Sequence, residues 1–321
     1  MIFSIKFKKN NSLYSKKISV VIILVIFYII NKESIKNKIK ICLCVIAKNE
    51  NLYVREYVEH YKKIGYNNIF IYDNNDINGE NFSDVIYDYI QNGYVKIIDF
   101  TKRNNNSRPQ DDAYFDCYSK NNLTYDWLSF FDMDEFLELN EKYNNIQEFL
   151  NDKIFNKCKN IKINWLFSKA NNKLYYENKS LSERFKNFDY KSGANIHIKS
   201  TVKGNLPINY WKYVLNPHTS SLNITTCSSS GKIISFSSPF NQPPDFTNAK
   251  LKHYYFKSFE EFCIKHKRGK APNTKEQNSK FIASSFKNFY LNNRKNPEKL
   301  KIVLKIFNMS INSINISKPF F

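Results

Sequence analysis

Glycine is scarce in this sequence: 321 residues contain seven. A glycine-rich loop wrapped around a phosphate needs several within a few positions, so that class of nucleotide site is excluded. Cysteine is rarer still. Cys42, Cys44, Cys117, Cys158, Cys227 and Cys263 include no Cys-x-x-Cys pair, which argues against a zinc module. Six are also few for a disulfide framework in a chain of this length. Cys42 and Cys44 alternate along an apolar stretch and read as small core residues. Negative charge is in deficit, with 29 Asp and Glu against 49 Lys and Arg, a formal net charge of +20. Such an excess fits an anionic partner: nucleic acid, an anionic membrane surface or a phosphorylated small molecule. The lysines are spread along the whole chain. Zinc-finger spacing, an RNP motif and a basic zipper are all missing, so no nucleic-acid module is indicated. Hydrophobic residues, at 42%, suffice for a large core. Asn, Lys and Ile are so abundant that a motif written only in these letters carries little weight.

No apolar run reaches a full membrane span. The N-terminal run at residues 18–30 is about thirteen residues long, against about twenty for an ordinary spanning helix. Lys6, Lys8, Lys9, Lys16 and Lys17 precede it, and Lys32, Lys36, Lys38 and Lys40 come after it. Two readings stay open. One is a short uncleaved signal anchor with the remainder of the chain across the membrane, in a Golgi- or ER-like lumen if the source is eukaryotic. The other is a peripheral or buried segment on the cytoplasmic face. Sequons at Asn81, Asn122, Asn178 and Asn223 fit the first. Residues 1–39 are therefore set apart from the rest of the chain.

From residue 40 the pattern becomes regular. Ile41 to Ala47 is continuously apolar, as a strand buried on both faces must be. Leu52, Val54, Tyr57, Val58, Tyr61 and Ile64 then recur at helical spacing before Gly65. A strand at 68–72, a helix around 82–90, a strand at 95–98, a helix opened by Pro109 and a strand at 127–131 come next. This alternation predicts an α/β fold: a doubly wound, mostly parallel sheet with helices on both faces. Ligands of such sheets bind beyond the carboxyl ends of the strands. Three polar clusters fall at those ends: Lys48-Asn49-Glu50, Asp73 to Asp76, and Asp132 to Glu135. Later segments are less regular. A strand is expected at 161–167, a short aromatic strand at 253–256, a helix at 259–267 and a basic helical extension over 271–321. The main domain is read as 40–270.

The sharpest motif is Phe130-Phe131-Asp132-Met133-Asp134-Glu135-Phe136. A buried strand end is costly for carboxylates unless a cation waits there. Asp-x-Asp on extended backbone presents two carboxylates to one side, a donor set suited to Mn²⁺ or Mg²⁺ with positions left for phosphate. The bland alternative is that these acids cap a following helix. Phosphatases of the haloacid-dehalogenase type also carry Asp-x-Asp after a strand. There it opens the fold, whereas here three strand–helix units precede it.

Several stretches taken together resemble the nucleotide-diphospho-sugar glycosyltransferases of the family 2-like and family 92 type. They are Cys44 to Glu50, Glu56 to Tyr61, Gly65, Ile71 to Asn75, Gln110 with Ala113-Tyr114, Trp127 to Phe136, and His253-Tyr254-Tyr255 with Lys257-Ser258. The resemblance covers roughly residues 40–270 and implies a GT-A fold. It implies that Asp132 and Asp134 hold the metal and the donor diphosphate, with His253 completing the metal site. It implies nucleotide-sugar contacts at Lys48, Asn49, Glu50, Asp73 and Gln110, with His218 toward the acceptor. The expected reaction is metal-dependent, inverting transfer of sugar from a nucleotide-diphospho-sugar to a hydroxyl of a glycan, glycolipid or glycoprotein. Glu135, beside the motif, is the first candidate for the base; Asp189 and Asp245 are the others. Lys102, Arg103 and Arg108 precede the Gln110 helix, where they either bond a donor phosphate or form an ordinary solvated loop. Trp165 lacks the glycine-containing turn usual after it in the family, so acceptor specificity does not transfer. Two other function classes stay open: a catalytically inactive carbohydrate-binding relative, and a basic protein of membrane surfaces or nucleic acid.

Overall fold

A computed structural model describes residues 39–101, 108–206, 215–216, 218–220, 224–270 and 273–309. The anchor candidate at 18–30 and the loop cations Lys102 and Arg103 lie outside them. Among the described residues, no helix is long and apolar enough to cross a membrane.

The first strand, β1 (Ile41–Ala47), is buried along its whole length, as its unbroken apolar run requires. It pairs in parallel with β2 (Asn68–Asp73) on one side and with β4 (Trp127–Phe130) on the other. β3 (Val95–Asp99) extends the parallel set beyond β2. Between them run α1 (Asn51–Lys63), α2 (Ser83–Gln91) and α3 (Pro109–Asn121). Side chains of β1 alternate, and Cys42, Cys44 and Ile46 form one core with Ala113, Tyr114, Cys117 and Tyr118 of α3. On the other face the α1 hydroxyls of Tyr57 and Tyr61 donate to the carbonyls of Phe131 and Glu135. Helices therefore cover both faces, as the pattern predicts.

Beyond β4 the sheet turns mixed. β5 (Glu135–Leu139) directly follows the acidic motif, so Asp134 and Glu135 cap no helix. β6 (Asn160–Phe167) and β7 (Ile198–Lys203) form an antiparallel pair, and β7 runs antiparallel against β4. Two short helices, α4 (Ile146–Leu150) and α5 (Leu181–Arg184), lie in the connections. A small hairpin joins β8 (Leu215–Asn216) and β9 (Thr219–Ser220), with His218 between them. β10 (Thr226–Cys227) and β11 (Ile233–Ile234) close that edge. The main path is β11-β10-β6-β7-β4-β1-β2-β3. β12 (Ala249–His253) pairs with both β5 and β6, which sets His253 opposite Glu135. The aromatic strand expected at 253–256 thus ends where it was expected to begin. Its apolar side chains, Ala249 and Leu251, come earlier and alternate with lysines.

The last helices are α6 (Phe259–Lys267), α7 (Lys275–Asn293) and α8 (Pro297–Phe307). They share a core of Cys263, Phe286, Ile302 and Val303. The basic extension read at 271–321 is packed onto α6 where it is described.

The cysteine reading needs correction. Cys44 is bonded to Cys117, and Cys158 to Cys227, at sequence separations of 73 and 69. The first bond ties β1 to α3 through the face they share. The second ties the approach to β6 to β10. Cys42 and Cys263 stay as buried thiols. Alkylation of the denatured, unreduced protein should label two cysteines of six; labelling of all six contradicts the pairing. Closing loops of this size stabilises by up to about 4 kcal/mol each, so reduction should lower the melting temperature markedly.

Candidate active site

The strand ends meet at one edge. Ala47 pairs with Asp73, and Cys44 with Phe130, so the segments after β1, β2 and β4 emerge together. A cleft of about 290 Å³ opens there, near the lower end of the range for small-ligand sites. Lys48, Glu50, Gln110, Asp132, Asp134 and His253 all line it. With His218, which also lines it, seven of the candidates singled out from sequence are brought together.

Asn49, Asp73 and Glu135 are not in that lining. Asn49 takes a left-handed turn, φ 52°, and its backbone N–H donates to Asn75 Oδ1 at 2.7 Å. Asn tolerates that conformation better than most residues. Asp73 accepts the backbone N–H of Asn75 at 2.9 Å, closing the turn after β2. Glu135 is fully buried, and its Oε2 accepts the backbone N–H of Asp132 at 2.8 Å. Burial pushes its carboxyl up to about 8, against the pull of Lys199.

The acidic pair is met by cations of the chain itself. Asp132 Oδ1 accepts from Gln110 Nε2 at 3.0 Å and from the Tyr114 hydroxyl at 3.1 Å. Its Oδ2 lies 2.7 Å from Lys199 Nζ, which is also 3.5 Å from Glu135 Oε1. Lys199 is delivered by β7 and is wholly buried. Burial disfavours its charge, yet Asp132 and Glu135 outweigh this and raise its pKa. Burial likewise raises Asp132, and Lys199 overrides it, holding the carboxyl below its usual range. Asp134 is 2.5 Å from Lys265 Nζ and 3.6 Å from His253 Nε2. Lys265 and His253 together overcome burial and depress its pKa strongly.

Lys265 reaches the site because α6 is held firmly. Ser258 and Glu261 form a capping box at its start. Glu261 also accepts from both guanidinium ends of Arg184, at 2.8 and 3.0 Å, and from the Tyr53 hydroxyl at 2.6 Å. Lys265 and Arg268 come at steps of four and three, on the same stripe of the helix. Arg268 pairs with Glu50 and donates to the Lys48 carbonyl.

Mn²⁺ or Mg²⁺ does not fit this donor set as the side chains stand. Lys199 takes one carboxylate and Lys265 the other. Among the described residues, no three His, Cys, Asp or Glu side chains come together to hold an ion. Sequence reasoning missed Lys199, Lys265 and Arg268. The Ser258-x-x-Glu261 box and the spacing beyond it were a usable signal for the last two. Nothing distinguished Lys199 among so many lysines.

A layered α/β sheet with a charged cleft beyond its parallel strands defines a ligand-binding α/β domain. The chain belongs to glycosyltransferase family 92, whose model matches residues 37–287. Curated proteins give no match. Among solved structures, S. aureus TarS aligns over 80% of this chain and 44% of its own, with 10% identity and a TM-score of 0.39. This chain thus spans less than half the length of that TarS chain. TarS 1-349 in complex with UDP-GlcNAc aligns over 84% of this chain and 80% of its own, with 9% identity and a TM-score of 0.37.

Replacing Lys199 by Met removes the buried cation between Asp132 and Glu135. Breaking one side of a buried ion pair costs about 3–5 kcal/mol, and the partial exposure of Asp132 places this case at the lower end. Urea unfolding of Lys199→Met checks it; an unchanged midpoint denies Lys199 this role.

Proposed function

We propose that the protein transfers a glycosyl group, with inversion, from a nucleotide-diphosphate sugar to an acceptor hydroxyl. The observation that carries this reading is the cation-lined cleft at the strand ends of a family 92 chain. A diphosphate brings at least two negative charges. Lys265, Arg268 and Lys270 line the cleft and supply charge-assisted hydrogen bonds to such a group. Lys48, Glu50 and Gln110 are the nucleotide-side contacts. Asp132, the more exposed of the two aspartates, accepts hydroxyls of the donor sugar. Asp134 orients Lys265. Glu135 holds the backbone of Asp132 in place rather than meeting the acceptor. A divalent ion enters only by displacing Lys265 from Asp134.

The acceptor is a hydroxyl of a glycan, glycolipid or glycoprotein. Two disulfides support an oxidising compartment, and the lysine-flanked run at 18–30 supports membrane attachment.

Thermal shift of the full chain against UDP- and GDP-sugars tests the donor. At a hundredfold excess over Kd, one of them should stabilise by about 2.7 kcal/mol. Lys265→Ala and Arg268→Ala should each weaken that donor about tenfold or more, since hydrogen bonds to charged groups contribute about 1.5–3 kcal/mol. Absence of any stabilising donor, or undiminished affinity in both variants, removes this reading.

A further inference from the structure

We infer that the exposed face of α7 is a docking surface for an acidic glycan, the class of acceptor whose end then enters the cleft; the acceptor role rests on the glycosyl-transfer reading above. Positive charge is balanced very unevenly along this chain. Residues 40–263 carry 28 Lys and Arg against 26 Asp and Glu. Residues 264–309 carry twelve against two, Glu276 and Glu298. A general bias toward lysine raises the cations of both segments, but it does not remove the acids from one of them. The C-terminal helices thus hold half of the net charge of +20.

α7 touches the cleft with its first turns. Asn278 and Phe281 are in the lining, and so is Lys270 in the loop before the helix. Asn278 pins that loop: it accepts the Lys270 N–H at 2.7 Å and donates to the Lys270 carbonyl at 3.0 Å. The Lys270 ammonium lies 4.4 Å from the centre of the Phe281 ring. Among the described residues, α7 adds nothing to the lining beyond Phe281. The helix has 19 residues and so extends about 28 Å, most of it outside the cleft.

Its two faces differ. Phe286 is in the core shared with α6 and α8, with Phe289 and Tyr290 packed against it. Lys280, Ser284, Lys287, Leu291 and Arg294 follow at steps of four, three, four and three and are all exposed, as is Lys295. Lys280 is paired with Glu276, whereas Lys287, Arg294 and Lys295 enter no ion pair among the described residues. Two helical turns separate Lys280, Lys287 and Arg294 from one another in succession, a repeat of about 10 Å. A row of this kind suits a partner whose negative charges repeat.

An anionic bilayer, a nucleic acid and an acidic glycan all have repeating charge. A helix that lies in a bilayer surface turns an apolar face to the lipid. α7 commits its apolar face to the protein core, and Leu291 is the one large apolar side chain exposed on it. A nucleic acid is foreign to the oxidising compartment that the two disulfides support. An acidic glycan fits both the charge and the place. A chain whose end lies in the cleft continues over the surface bordering the mouth, and α7 forms that border.

The test measures binding of dextran sulfate and of neutral dextran to the full chain. The parent should bind dextran sulfate, more weakly as salt rises, and ignore neutral dextran. Lys287→Glu, Arg294→Glu and Lys295→Glu combined should weaken it about tenfold or more, three exposed charge contacts being reversed, and keep the donor thermal shift. Lys153→Glu, Lys157→Glu and Lys232→Glu combined alter the net charge equally, at exposed positions outside α6–α8, and should bind as the parent does. Hydrogen exchange should show protection by dextran sulfate along α7 and at the Lys270 loop. Equal losses in the two variants trace binding to overall charge and overturn the assignment. So does a parent that ignores dextran sulfate, one that uses these three residues to hold phosphatidylserine vesicles or single-stranded DNA more tightly, or protection that leaves out the Lys270 loop. Each of these results leaves the glycosyl-transfer reading standing as long as a donor stabilises the parent. Failure of every donor removes that reading, and the acceptor role with it, whatever the polysaccharide does.

Discussion

Two carboxylates at the buried end of a strand have to be neutralised, and this chain does it with its own lysines. β4 ends at Phe130, and Asp132 and Asp134 come within the next four residues. Without a counter-charge that placement would cost more than the fold can spare. Lys199 answers one aspartate from β7, and Lys265 answers the other from α6. The two lysines come from elements 67 and 131 positions further along the chain, so the acidic motif fixes long-range architecture as well as local charge.

The same pairing explains why the cleft has its composition. α6 must sit with one stripe facing the strand ends, and that stripe carries Glu261, Lys265 and Arg268. Glu261 is spent on Arg184 and Tyr53 and anchors the helix; the two cations beyond it reach Asp134 and Glu50. Lys257, buried just before the helix, rests 3.3 Å from the centre of the Tyr53 ring. Burial lowers its pKa and Glu50 opposes this. Acid and base alternate across the cleft. Its carboxylates therefore act through what they hold.

The parallel half of the fold was legible because its signals are local. The apolar run of β1, the helical spacing of α1 and the proline opening α3 each name their element. So was the convergence of polar clusters, since strand polarity alone sends them to one edge. The mixed half was not. β5 and β12 pair across more than a hundred residues, and β7 inserts antiparallel between β4 and β6. Periodicity within a segment carries no information about such partners. The disulfides were hidden for the same reason: Cys44 meets Cys117 only once α3 lies on the even face of β1. Lys199 and Lys265 were hidden by abundance. In a chain with 49 Lys and Arg, an ion pair is decided by geometry, and the sequence offers no contrast by which to pick it out.

We infer that Lys199 and Lys265, rather than a divalent ion, balance the acidic pair. X-ray diffraction from crystals soaked in Mn²⁺, collected at a wavelength where manganese scatters anomalously, tests it most directly. No anomalous peak is expected between Asp132 and Asp134, and the Lys265 nitrogen should stay in contact with the Asp134 carboxylate. A strong peak bridging the two aspartates, with Lys265 swung away, would contradict the claim.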